Sequence, residues 1–370
     1  MRTRFLIAAL AVATLFALGV QPTTVTREAA ATAASGPPRV FAFYYLWWSN
    51  RHWHDKLGAA YPYDATLPPL PATLDNYTGC NAVSLYPGNQ LTDVPTSLST
   101  QDDPATIEAD VRSAAAAGLA GFIVNWRGDG TATQTLSSGQ YNKRLQAVFD
   151  AVHEVNAEGI PFELWLNYKA SDSVLTPDYI ANDLAYLQRS YGGDPALDVT
   201  SGSRPVLIWS GSRKYPLSTI QTISAQFRSA FFLVGDENWN TWGDGRAAYL
   251  DGDQYYWSSQ NPYSNPGSFG QLQNLAAMVR ASGPNPDGSA KTWFAPLAPG
   301  FDSQLLTGTS NCVPRNGGDT MRRLFAGNAA SNPDAWVLIS WNEVAEGTYV
   351  EPLQRWGTTY LDTLRSLIRP

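Results

Sequence analysis

Eight short apolar or aromatic runs recur along this chain, and stretches of helical periodicity lie between most of them. That alternation limits the possible folds more than any other feature. Parallel strands need long crossovers, and helices are the usual crossovers. The predicted strands are Val40–Tyr45, Gly121–Trp126, Phe162–Tyr168, Pro205–Trp209, Phe231–Gly235, Gln254–Trp257, Thr292–Ala295 and Ala335–Trp341. Several are continuously apolar, as expected of strands covered on both faces. Helix punctuation agrees with this. Asp103-Pro104 offers an N-cap followed by Pro at N1, and Gly118 offers a stop. Tyr141–Glu158 carries Leu145, Val148, Phe149, Val152 and Val155 on one stripe before Gly159-Ile160-Pro161. Tyr179–Tyr191, Gln271–Ala281, Met321–Ala330 and the segment from Trp356 to Ile368 repeat the pattern, and Gly243–Leu250 is a short version. The expected fold class is α/β: a single (β/α)8 TIM barrel with long strand-to-helix loops. A doubly wound open sheet is the alternative. It is weakened because no G-x-G-x-x-G follows the first strand. Pro/Gly/Ser-rich stretches at 62–104, 258–268 and 282–290 read as loops.

The first residues read differently. Arg2 and Arg4 precede an uncharged apolar run from Phe5 to Val20, and an Ala-rich polar stretch follows. This is the pattern of a signal peptide, so residues 1–36 are expected to be a leader and 37–370 the barrel domain. An uncleaved N-terminal anchor is the alternative. Either way the expected location is extracellular. In an exported chain, two cysteines favour one disulfide, Cys80–Cys312. Net charge is −7 and no dense Lys/Arg run occurs, which disfavours a nucleic-acid partner. The chain is expected to act as a monomer.

Active sites of such barrels sit at the carboxyl ends of the strands. Those ends pair amides or carboxylates with aromatic rings: Tyr44-Tyr45-Leu46-Trp47-Trp48, Asn125-Trp126-Arg127, Asn167-Tyr168-Lys169, Asp236-Glu237 and Trp341-Asn342-Glu343. Buried amides and carboxylates need partners, so a rim of them is hard to explain by packing alone. Flat rings with polar handles suit sugars. The candidate sugar contacts are Tyr44, Tyr45, Trp47, Asn125, Trp126, Asn167, Glu237, Trp257, Asp302, Trp341 and Asn342, with Asp172 as a further ligand or loop anchor. The segment from Ser49 to Gln101 would add a cleft wall.

Glu343 and Glu346 are the sharpest feature. Glycosidic hydrolysis needs two carboxyl groups in different roles, one giving a proton and one acting as base or nucleophile. Two acids three residues apart can reach one bond, because the chain between them spans at most about 10 Å. Placed after Val337-Leu338-Ile339-Ser340-Trp341, they fall at a strand end and not on a surface helix. Asp236 or Glu237 could instead supply one carboxylate from the fifth strand. No metal or cofactor is expected. His52 and His54 lack a third ligand, His153 sits on a helix edge away from any Ser/Asp pair, and no phosphate-binding loop occurs.

Trp341-Asn342-Glu343-Val344-Ala345-Glu346-Gly347-Thr348-Tyr349-Val350-Glu351-Pro352 resembles the closing motif of glycoside hydrolase family 99 and its relatives, the family 71 α-1,3-glucanases and WbsX-type proteins. Phe43 to Trp48, Gly118 to Trp126 and Pro299-Gly300-Phe301-Asp302 are similar to earlier motifs of that group. The resemblance covers nearly all of the chain after the leader. It implies a metal-free (β/α)8 barrel that cleaves inside an α-linked glycan with retention. It also implies that Glu343 is base toward the sugar 2-hydroxyl, giving a 1,2-anhydro sugar, and that Glu346 is general acid and then base for water. An axial 2-hydroxyl lies anti to an axial leaving group, which suits an α-mannoside better than an α-glucoside. Two positions depart from the pattern. Val344 replaces the common second aromatic, and the first strand lacks the Gly after its aromatics. These departures bear on substrate more than on reaction class. The alternatives to a hydrolase are a non-catalytic glycan-binding barrel and a WbsX-like protein of glycan assembly.

Overall fold

The computed structural model describes residues 38–57, 80, 91, 93–95, 99–128, 138–169, 176–200, 204–308 and 311–369. Asp172 lies outside the described residues. Eight parallel strands form the barrel: β1 Val40–Tyr45, β2 Gly121–Trp126, β3 Glu163–Tyr168, β4 Arg204–Trp209, β5 Phe232–Asp236, β6 Gly252–Gln254, β7 Thr292–Leu297 and β8 Ala335–Leu338. Each pairs in parallel with its neighbour. β8 pairs with β1, and β3 pairs directly with β4, so the ring is closed. A sheet closed on itself has no edge to protect. Short antiparallel pairs decorate it at Val199–Thr200 and between Phe301–Asp302 and Cys312–Val313.

Helices fill the outer layer. Pro104–Ala117 begins as its sequence demands: the Asp103 side chain accepts from Ala105 N, and Gly118 ends the helix at φ 93°. Ser138–Ala157, Pro177–Tyr191, Leu217–Phe227, Ser268–Ala281, Asp319–Asn328 and Thr359–Ile368 supply the other long crossovers. The crossover after β5 is only Trp239–Gly243 plus a turn of 3-10 helix at Arg246–Ala248. Among the described residues no helix is long and apolar enough to cross a membrane.

Most strand boundaries fall within two residues of the sequence expectation, and two strands, β6 and β8, depart further. β6 starts at Gly252 and ends at Gln254, before the aromatic run Tyr255-Tyr256-Trp257 that marked it in sequence. The polar Gly-Asp-Gln is the ladder segment because Gly252 lets two backbones approach. A Cβ there would meet Thr292 O at 2.6 Å. β8 ends at Leu338, and residues up to Trp341 continue only as single contacts, such as Trp341 N to Phe43 O at 2.9 Å.

The barrel interior is stratified. Phe41 stacks on Trp165 with ring centroids 3.9 Å apart, and Trp165 on Phe294 at 4.5 Å, so three rings plug the amino-terminal half. Gly121 makes room for them, since a Cβ there would lie 2.9 Å from the Phe41 ring. The carboxyl-terminal half carries Asn125, Asn167 and Gln254 instead, all buried. The predicted disulfide is present between Cys80 and Cys312, with Cα atoms 5.9 Å apart.

Candidate active site

Side chains alternate along a strand, so only every second strand-end residue can face the barrel mouth. Tyr45, Asn125 and Asn167 take the inner face of β1, β2 and β3. Tyr44, Trp126 and Tyr168 take the outer one. The Tyr44 hydroxyl donates to Asp110 Oδ2 of the first crossover helix at 2.7 Å. Trp126 Nε1 donates to Asn142 Oδ1 at 2.8 Å, and its ring stacks on Tyr186. The Trp341 ring packs on Phe122, itself stacked on Tyr44. Of the sugar contacts expected from sequence, Tyr44, Trp126 and Trp341 therefore belong to the barrel–helix interface and not to the mouth.

At the mouth, a cleft runs across the ends of β1 to β6. Tyr45, Asn125 and Lys169 line one side. Ser210, Gly211, Arg213, Lys214 and Tyr215 line the other, with Asp236 and Tyr256 between. The Tyr45 and Tyr256 hydroxyls share a hydrogen bond of 2.7 Å. Trp47 is half-buried, stacked on Tyr45 at 4.4 Å, with the Lys169 ammonium 5.9 Å from its ring. Several buried polar atoms near the mouth have no hydrogen-bond partner among the described residues: Asn125 Oδ1, Asn167 Nδ2 and both amide atoms of Gln254. Orphaned donors and acceptors clustered at a cleft suit a polar ligand. Tyr256, Lys169, Arg213 and Lys214 were not among the expected contacts. Placing Gln254 on the inner face would have found Tyr256 two residues on. Trp257 instead packs beside Tyr255.

Glu343 and Glu346 sit on a tight loop after β8. Ser340 Oγ accepts from Glu343 N at 2.8 Å, and Gly347 N donates to Val344 O at 3.1 Å, closing the turn. Gly347 adopts φ 61°, a conformation that favours glycine. Asp302 is drawn in through its backbone: its N donates to Glu346 O at 2.8 Å. Its carboxylate accepts from Gln304 N. Asn342 is a clamp. Its Oδ1 accepts from Tyr45 N at 2.9 Å and its Nδ2 donates to Tyr45 O at 3.0 Å, which leaves little of the amide for a sugar. The same clamp sets Glu343 beside Tyr45.

The Glu343 carboxyl is buried, 4% exposed, and accepts one hydrogen bond, from Ala345 N at 3.1 Å. Burial and the neighbouring Glu346 push it up to about 8, while Lys169 opposes the rise. Burial also raises Glu346, again opposed by Lys169. Both acids in turn raise the Tyr45 and Tyr256 hydroxyls, after burial itself. The two acids, the two tyrosines and Lys169 thus share one electrostatic site. Among the described residues neither glutamate forms an ion pair.

Glu237 stands apart from this site. It is fully buried, accepts from Ser212 Oγ at 2.5 Å and lies 3.3 Å from Arg246 Nε. Asp236 does reach the cleft, held by Arg213, Gly211 N and Tyr256 N. His52 packs edge-on to Trp48, its imidazole lowered to about 4 by burial, and His153 pairs with Asp194. No group of three or more metal-ligating side chains occurs among the described residues.

A closed (β/α)8 barrel with a carboxyl pair at the carboxyl-terminal rim of its last strand is the class that fold and site define. No family model matches the chain, and no curated protein matches it in sequence. Among solved structures, the family 99 (GH99) endo-α-mannosidase from Bacteroides thetaiotaomicron is similar over 90% of this chain and 98% of its own, with a TM-score of 0.63 and 15% identity. Its complex with BIS-TRIS-propane gives 0.62 over 89% and 97%. A protein described as glycoside hydrolase-like gives 0.61 at 12% identity over 90% and 95%. The shared property is the family 99-like barrel fold.

Proposed function

We propose that this chain is an exported, retaining glycoside hydrolase that cuts inside an α-linked polysaccharide, an α-mannan-like chain before an α-glucan, with Glu343 and Glu346 as its catalytic carboxyl groups. One observation carries the reading. Two carboxyl groups share a desolvated site at the β8 end, with no ion pair among the described residues and Lys169 acting on both, beside a cleft with orphaned polar groups. Such mutual repulsion lets one acid keep its proton near neutral pH while the other stays ionised. The disulfide supports export, and with it a leader over residues 1–36.

The reaction would run in two displacements. Glu343 takes the proton of the sugar 2-hydroxyl as O2 attacks C1, and the C1–O bond to the leaving sugar breaks as Glu346 protonates that oxygen. Water then attacks C1, gives its proton to Glu346, and the C1–O2 bond opens as O2 recovers the proton from Glu343. Two inversions at C1 leave the configuration retained. Burial raises both acids and the Glu346 charge adds to the rise at Glu343, so the pair keeps one proton between them near neutral pH.

The experiment is incubation with a panel of α-mannans and α-glucans, with NMR of the first-formed anomer. Oligosaccharides of retained configuration are expected, and they should vanish in Glu343→Gln and Glu346→Gln. An inverted product, or equal release by both variants, defeats the proposal. The pH profile tests the pair as a unit: the reactive form holds one proton between the two acids, so kcat/KM should fall as pH rises through about 8, where the pair loses that proton; a rate that keeps rising through that range would mean that neither acid donates.

A further inference from the structure

The chain is acidic overall, with 32 Asp+Glu against 25 Lys+Arg, yet away from the Glu343–Glu346 pair the cleft wall is not. Its lining carries three cations, Lys169, Arg213 and Lys214, against one carboxylate, Asp236, and of the three only Lys169 also acts on the catalytic pair. The carboxylate is already matched. Arg213 Nη1 lies 2.5 Å from Asp236 Oδ1, and Gly211 N and Tyr256 N also donate to that side chain. The rest of the Arg213 guanidinium, its Nε and second terminal nitrogen, makes no hydrogen bond among the described residues. Lys214 is exposed at the cleft wall and forms no ion pair among them. Lys169 is half-buried, with its ammonium over Trp47 and no ion pair.

Cations gathered along one groove repel one another, and the partly buried Lys169 and the free edge of Arg213 also lose solvation, so a ligand of opposite charge would compensate them. A second observation points the same way. Asn167 is fully buried, its Oδ1 accepts from Ser210 Oγ at 2.8 Å, and its Nδ2 donor is left without a partner behind this same wall. The wall built by the ends of β3 and β4 therefore presents donors almost throughout. The proton-accepting orphan, Asn125 Oδ1, lies across the cleft on β2.

We propose that the glycan held in this cleft is anionic, with a carboxylate or phosphate monoester on the sugar that faces Lys169, Arg213 and Lys214. An arginine edge with two free N–H groups fits such planar or tetrahedral oxyanions in a bidentate manner, and the lysines add point charges. The proposal rests on the hydrolase reading only for placing a glycan in the cleft.

The test compares polymers that differ in charge alone. One pair is an α-mannan bearing phosphate monoesters and the same mannan after phosphatase treatment. The other is polygalacturonate and its fully methyl-esterified form. Binding is measured by calorimetry on the unaltered chain and on Glu346→Gln, so that cleavage is not needed for the readout. In one pair or both, the charged member should bind about tenfold more tightly at low salt, the ratio shrinking toward one near 0.5 M salt as screening sets in. Lys214→Gln should cut that ratio about threefold or more. Equal binding of both members in both pairs, a preference for the neutral members, or cleavage of a neutral glycan by a protein that binds none of the four overturns the proposal. The last result leaves the hydrolase reading standing. Charge-selective binding without hydrolysis of any polymer does the reverse.

Discussion

The ends of β5 and β8 carry similar acids with different surroundings. Glu237 after β5, with its neighbour Asp253 on β6, and Glu343 and Glu346 after β8 are carboxyl groups raised above their ordinary values, in each case first by burial. Glu237 is pushed up to about 7 and Glu343 to about 8. Burial and a shifted titration therefore do not separate them. Their partners do. Glu237 receives Ser212 Oγ and has Arg246 at 3.3 Å, while Asp253 Oδ1 accepts from Glu237 N at 3.0 Å. That cluster has its own buried cation, Arg246, and braces the short crossover after β5. Among the described residues Glu343 and Glu346 form no ion pair, and their electrostatic neighbours are Tyr45, Tyr256 and Lys169 at the cleft. An acid whose charge is met by a buried cation is architecture. An acid without one, beside a cleft, is available for chemistry.

The comparison can be broken most directly by substitution at β8. Glu343→Gln and Glu346→Gln should each lower kcat by about a thousandfold. Their melting temperatures should hold or rise, because each removes a repulsion. A melt well below that of the unaltered chain would mean that the pair is structural after all. On the β5 side the effect should be reversed in kind. Arg246→Ala removes the cation from a buried acid and should lower unfolding free energy by about 3 kcal/mol in denaturant titration. Turnover per folded molecule should stay within a few-fold. A hundredfold loss of kcat in a stable Arg246→Ala protein would return Glu237 to the reaction.

Both regions, together with Asp93 and Asp110, bear on stability against pH. Asp93 is raised to about 6 and Asp110 to about 7, burial leading in each. A raised carboxyl binds its proton in the folded chain over a range where the unfolded chain has lost it. Stability from these groups is thus complete below about pH 4 and declines as pH rises through 6 to 8. The melting temperature should fall between pH 5 and pH 8 by roughly 4 °C or more. A rise over that interval would show that these acids are solvated or paired in solution. The smallest effect is sought at the ring. Trp47→Ala should raise KM about fivefold with a lesser change in kcat, since the ring adds a flat apolar face and touches neither acid.

Much of this was legible before any coordinates. The eight runs became eight strands because an apolar run bounded by helices has few places to go except a covered parallel sheet. Strand ends name Glu343, Glu346, Tyr45, Asn125 and Asn167; Tyr45 and Asn125 line the cleft, Asn167 is buried behind it, and the two acids act on Tyr45 and Tyr256 from the β8 side. The same rule names Tyr44, Trp126 and Trp341, which do not reach the mouth. The correction is one of phase. A strand end names a neighbourhood, but alternation decides which of two adjacent residues looks inward, and the start of the strand sets that alternation. At β6 the sequence reading names Trp257, but Gln254 faces inward, and with it Tyr256 two residues on. Asn342 carried the right motif, yet its amide closes the seam between β1 and β8.

What the chain settled by itself was local: period, capping, the leader-like run and two acids too close in sequence to serve different sites. What needed the closed barrel was non-local. Whether an acid meets Arg246 or Lys169, whether Cys80 reaches Cys312, and whether three cations share one cleft depend on residues far apart in the chain. Ring closure brings them within a few ångströms. Interaction energies fall off over that same distance, so function could be decided only there.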